Sequence, residues 1–204
     1  MFDQCKGDRM LGRILSLMAI ACLCACATDH KWAPDAELEK VAYVAGPPAT
    51  LTLITSINGR SGSGAHSALL INGSQRVLYD PAGSWELGAG QAPERHDLHY
   101  GMFPGALDNY LAFQSAGVFY VVEQTITVPV AVADQAIADA LQQGATQQAY
   151  CSHSVASVLR RVPGFENISV TFFPRALSRE FAQIPGVVET RIEGTPRVDV
   201  KATN

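Results

Sequence analysis

Residues 51–80 constrain the fold more than any other stretch, because their pattern fits little besides neighbouring antiparallel strands. Leu51-Thr-Leu-Ile-Thr-Ser-Ile57 alternates and is rich in β-branched residues, and the loop Asn58-Gly-Arg-Ser-Gly-Ser-Gly64 follows it. His66 then opens the apolar run Ala68-Leu-Leu-Ile71. Asn72-Gly73 is a hairpin-type turn, and Arg76-Val-Leu-Tyr-Asp80 returns beside the strand before it. A turn closing near Gly73 makes His66 and Asp80 symmetric about it, so the two strand ends should meet.

The rest of the chain adds helices and a second β-run. Residues 82–100, rich in Gly and polar residues, read as a long loop around Trp85, and Leu107, Tyr110 and Leu111 share one face of a short helix. Val118–Val128 reads as a strand stopped by Pro129. Ala133–Gln143 carries Ile137, Ala140 and Leu141 at helical spacing and ends at Gly144. Tyr150–Arg161 has Val155, Val158 and Leu159 on one stripe, with Pro163-Gly164 as its stop, and Pro174–Phe181 is a short helix with proline in its first turn. The fold class is therefore α+β, an antiparallel sheet packed against helices. With no internal repeat or low-complexity block, residues 50–196 form one domain and 197–204 a flexible tail.

Composition supports a packed core: 48% of the 204 residues are hydrophobic and 8% aromatic, against 17% charged. A net charge of −4, with no long basic run, argues against nucleic acid as a partner, since phosphate binding needs clustered Lys and Arg.

The N-terminus reads as an address. Lys6, Arg9 and Arg13 precede the apolar run Ile14–Leu23, and small residues follow. This is the layout of a secretory signal. The uncharged run is shorter than the roughly 20 residues a membrane-spanning helix needs. Asp3 and Asp8 are unusual in such a cationic region, and a start at Met10 would remove them. Leu23-Cys-Ala-Cys26 resembles the bacterial lipobox, in which a small residue precedes the lipidated cysteine. That resemblance implies a signal peptide over 1–25, lipid on Cys26 and a tether over 26–49. Ala27 stands where inner-membrane retention would place Asp, so the expected location is the outer membrane, facing the periplasm, with the membrane as a partner through the lipid. An ordinary signal cut after an alanine is the alternative.

Of the five cysteines, Cys5, Cys22 and Cys24 leave with such a signal and Cys26 carries the lipid. Cys151 is then the one thiol left, unable to form an internal disulfide. It stands at the start of a helix, where unpaired N–H groups and the helix dipole favour an anion and lower a thiol's pKa from its usual value of about 8.5. His153, two residues on, points elsewhere along the helix. His66 is the better base, and Asp80 can orient its ring. A nucleophile, a base and an orienting carboxylate make a cysteine triad. Separately, Cys151 could be a small buried hydrophobe, His66 a structural histidine and Asp80 a turn former before Pro81.

His66-Ser-Ala-Leu-Leu-Ile preceding Tyr150-Cys-Ser-His resembles the circularly permuted papain-like hydrolases, related to the NlpC-type cell-wall enzymes and in particular to their YiiX/YaeF-like branch. Lecithin retinol acyltransferase-like proteins are more distant relatives of that group. In ordinary papain-like order the cysteine helix comes first. The resemblance spans roughly residues 50–185 and implies Cys151 as nucleophile, His66 as base and Asp80 as third polar residue. That branch often has Glu where this chain has His153. The expected activity is cleavage of a peptide-like amide or an acyl ester without a cofactor. The alternative is a non-catalytic envelope lipoprotein that keeps the fold for binding or scaffolding. His96, Asp97 and His99, with His153, are a weaker metal-ligand pattern, because they fall in a loop. The Gly59–Gly64 loop fails as a phosphate-binding fingerprint because it leads to a strand.

Overall fold

A computed structural model of the protein describes residues 31–87 and 92–194. The expected signal peptide over 1–25, Cys26 and the expected tail over 197–204 lie outside these residues. The described part is α+β, with one seven-stranded antiparallel sheet and five helices. The strands are β1 (Thr50–Asn58), β2 (Gly64–Asn72), β3 (Arg76–Tyr79), β4 (Glu94–Arg95), β5 (Leu98–His99), β6 (Phe119–Thr127) and β7 (Val188–Glu193). They lie in the order β4-β5-β3-β2-β1-β6-β7. The helices are α1 (Asp35–Val41), α2 (Pro104–Gln114), α3 (Val130–Gln143), α4 (Cys151–Leu159) and α5 (Pro174–Phe181).

The two-residue period of a strand sends alternate side chains to opposite faces, and here both faces are covered. On one face Leu51 opposes Ile71, Leu53 opposes Leu69, and Ile71 and Leu69 in turn oppose Val77 and Tyr79. These residues pack with Ala133, Ala136 and Ala140 of α3, Val155, Val158 and Leu159 of α4, and Leu177 and Phe181 of α5. On the other face Ile54 opposes Ala68 and Leu70 opposes Leu78, and this layer is completed by Trp85, Met102 and, from α2, Ala106 and Tyr110. β1 is accordingly buried along nearly its whole length; Thr52 pairs with Thr125 across the sheet at 2.9 Å and Ser56 donates to the Gln114 carbonyl, while Thr55 Oγ1 is buried without a partner.

Three expectations need correction. The β2–β3 register pairs Asn72 with Arg76, which centres the turn on Ser74 rather than Gly73. The 82–100 segment is not only loop, since β4 and β5 extend the sheet within it. β7 also continues the sheet beyond β6, from residues with no buried alternation. Finally, residues 31–49 of the supposed tether are folded against the domain. There α1 packs Leu38 and Val41 on the core, and the Asn72 side chain donates to the carbonyls of Gly46 and Pro48.

Candidate active site

The site forms where the sheet stops. β2 has nine residues and β3 has four, and their pairing ends at Leu69 and Tyr79. The first half of β2, which contains His66 and Ser67, therefore has no strand on that side. The start of α4 occupies this vacant edge. The Ser67 hydroxyl lies 2.9 Å from the Ser152 hydroxyl, both fully buried, and the Ser67 amide N–H donates to the Cys151 sulfur. A β3 longer by a few residues would fill the place of the thiol.

Asp80 is the first residue after β3. The centring on Ser74 places it diagonally across from His66 instead of directly opposite, but a shift of two residues keeps the same sheet face. The contact expected from the sequence therefore survives: His66 Nε2 and Asp80 Oδ1 are 2.6 Å apart. With Nε2 engaged, Nδ1 is the ring nitrogen left for the Cys151 thiol, which lies close enough to influence the ring's protonation. Cys151, His66 and Asp80 thus form one chain of contacts, as the sequence indicated. Cys151 is 7% exposed and the His66 side chain 15%.

Two further residues complete this chain. Tyr110 of α2 donates its hydroxyl hydrogen to Asp80 Oδ1 at 2.7 Å, and the Gln114 side-chain amide donates to the Tyr110 oxygen at 3.1 Å. Asp80 Oδ1 therefore accepts two hydrogen bonds, while Oδ2 is buried without one. Gly83 closes over that second oxygen: a Cβ on residue 83 would stand 1.8 Å from Oδ2. The sequence marks Tyr110 only as part of a packing stripe. Its polar role has one sequence sign, a glutamine four residues on, one turn along the same helix face.

The electrostatics follow from these contacts. Burial would depress the His66 imidazolium, but the charge and hydrogen bond of Asp80, joined by Cys151, outweigh it and raise the pKa to about 10. Burial pushes the Cys151 thiol up. The His66 hydrogen bond and charge, with the amides of Ser67 and Ser152, overcome that and leave it below its ordinary value. Burial also opposes the Asp80 carboxylate, yet His66, then His99 and Tyr110, hold its pKa below the usual carboxylate value. These contacts favour a thiolate beside an imidazolium, a reactive nucleophile paired with its proton donor.

Among the described residues the other three histidines make other contacts. His153 packs its ring against Tyr150 and Phe172, at centroid distances of 5.5 and 4.9 Å. His96 meets Trp32 edge-on and His99 meets Trp85 edge-on. Among the described residues no three His, Cys, Asp or Glu side chains are grouped to hold a metal ion. The Gly59–Gly64 loop runs from β1 to β2 and lies against α5, whose Arg175 guanidinium donates to the Gly62 carbonyl.

Comparison with family models, with curated proteins and with solved structures finds no match to this chain.

Proposed function

We propose that this protein is a thiol hydrolase of permuted papain-like fold, held at the bacterial cell envelope by lipid on Cys26. The observation that carries the reading is the continuous chain from Cys151 through His66 to Asp80, with the sulfur at the first residue of a helix. The order of its parts, histidine strand before cysteine helix, is that of the permuted group.

In this reading the Cys151 thiolate attacks the acyl carbon of an amide or ester. Amides at the start of α4 stabilise the oxyanion of the tetrahedral intermediate. Nδ1–H of the His66 imidazolium protonates the departing amine or alcohol, leaving a thioester on Cys151. Neutral His66 then takes a proton from water, the hydroxide attacks the thioester, and the carboxylic acid leaves as the thiolate and imidazolium are restored. Asp80 holds the ring with Nδ1 toward the sulfur throughout.

The test is alkylation of Cys151 by iodoacetamide in the full chain, followed by mass spectrometry of the Cys151 peptide, together with turnover of short acyl p-nitrophenyl esters. Wild type should label readily at pH 7 and release p-nitrophenol. His66→Ala should label at least about tenfold more slowly, and Cys151→Ala should lose both signals. Labelling that is equally fast without His66, or absent in wild type, overturns the mechanism and leaves a non-catalytic envelope role.

A further inference from the structure

Asp80 offers one oxygen to two donors and keeps the other unbonded in a buried space. A carboxylate turns easily about its terminal bond; a half turn merely exchanges two equivalent oxygens, but any partial turn carries Oδ1 away from both of its donors. Three contacts oppose that rotation. Tyr110 is 0% exposed and its ring is fixed edge-on against Trp85 at 5.3 Å. Its hydroxyl is held in place by Gln114, whose own backbone carbonyl accepts from Ser56 of β1 at 2.8 Å. Gly83 leaves room for Oδ2 and for nothing larger. The hydroxyl cannot follow the carboxylate if it turns, because its ring is anchored in the α2 layer.

We infer that Tyr110, supported by Gln114, is a positioning residue of the site: it locks the Asp80 carboxylate so that His66 keeps Nδ1 aimed at the Cys151 sulfur. This rests on the hydrolase reading and extends it by one contact. The titratable groups that face this cluster are His66 of β2, Asp80 after β3, His99 of β5 and Cys151 of α4. Tyr110 itself does not ionise in the working range, because burial first, and then the neighbouring Asp80 charge, raise its pKa well above the ordinary value. It therefore acts as a fixed donor. A hydrogen bond to a charged group is strong enough that its loss shifts a coupled equilibrium by about tenfold or more.

The experiment is a double-mutant cycle on the full chain, reading the iodoacetamide rate at Cys151 from pH 5 to 10 in wild type, Tyr110→Phe, Asp80→Asn and the double variant. Tyr110→Phe removes one oxygen and keeps the ring. It should slow labelling at pH 7 about tenfold and move the midpoint of the rate profile upward. In the Asp80→Asn background it should do nothing further, because the group it positions has lost its charge. Gln114→Met should change the profile in the same direction and by less. An unchanged Tyr110→Phe profile overturns the inference, as does an equal loss in both backgrounds, which is the result of a merely structural role. A wild-type midpoint at or above about 8.5, the value of an ordinary thiol, instead overturns the hydrolase reading itself, so the two failures are distinguishable.

Discussion

Asp80 shows how a single residue sets the character of its neighbours. Asp80→Asn keeps the volume and removes the charge that raises His66 to about 10. The imidazole then loses its proton near or below neutrality, and Cys151, still penalised by burial, loses the cation that offsets that cost. Alkylation at pH 7 should fall by at least about tenfold and recover as the pH is raised past about 8.5, where an ordinary thiol ionises. A rate at pH 7 equal to wild type would show that the carboxylate charge does not reach the sulfur. At this scale the sequence is informative about the residues whose chemistry is unusual for their place, namely a lone thiol at a helix start and a histidine beginning a strand. It is silent about Tyr110 and Gly83, because a tyrosine in an apolar stripe and a glycine in a turn each have an ordinary explanation. Only the placement of Asp80 Oδ1 and Oδ2 against them shows otherwise.

At the level of elements, α5 and the start of β2 fit together at Gly64. A Cβ on that residue would come 2.6 Å from the Arg175 backbone nitrogen and 2.7 Å from Pro174 Cβ, so the helix cannot approach closely unless residue 64 is glycine. Gly64→Ala should separate α5 from β2, cost about 1–3 kcal/mol in denaturant unfolding as overpacking does, and slow Cys151 alkylation by displacing His66, two residues away. Unchanged stability would mean that the contact between the two elements is easily rearranged. The elements themselves were legible to different degrees. α5 begins at Pro174 as read, because proline at a first turn marks its own position. α3 begins at Val130, a turn before the helical spacing becomes visible, since Pro129 ends β6 and precedes the helix directly. β7 is Val188-Glu-Thr-Arg-Ile-Glu193, almost wholly exposed, and an edge strand with no buried face has no apolar alternation to reveal it. β4 and β5 have two residues each, too few for any period.

For the whole molecule, the coupled pair of Cys151 and His66 leaves a signature in stability against pH. Between about 6.5 and 8.5 the unfolded chain holds one proton on the two groups, as the thiol. A thiolate–imidazolium pair in the folded chain also holds one, on His66. The pair therefore contributes no slope in that window. Above about 8.5 the unfolded chain loses its proton while the folded chain keeps its own up to about 10, so stability falls as pH rises. Cys151→Ser changes this. Asp80 still raises His66, the unfolded chain has no proton on the pair above 6.5, and stability should now decline from about 6.5 onward, at about 1.4 kcal/mol per pH unit relative to wild type. Urea unfolding of both proteins at pH 6.5, 7.5 and 8.5 measures the difference, and parallel curves would show that the folded pair is not ionised. The sequence carried the overall class and the meeting of residues 66 and 80, because strand parity is local. It did not carry the two-residue recentring of the hairpin or the folding of residues 31–49 onto the domain, which depend on distant partners such as Tyr43, whose carbonyl accepts from the Arg76 amide.

The bond between Ser67 and Ser152 joins residues 85 apart in the chain. Until that span closes, Cys151 has neither its histidine nor its amide donors, and it behaves as a plain thiol with a pKa of about 8.5. An unfolded chain is thus chemically quiet, and the reactivity of its thiol switches on only once the domain has folded.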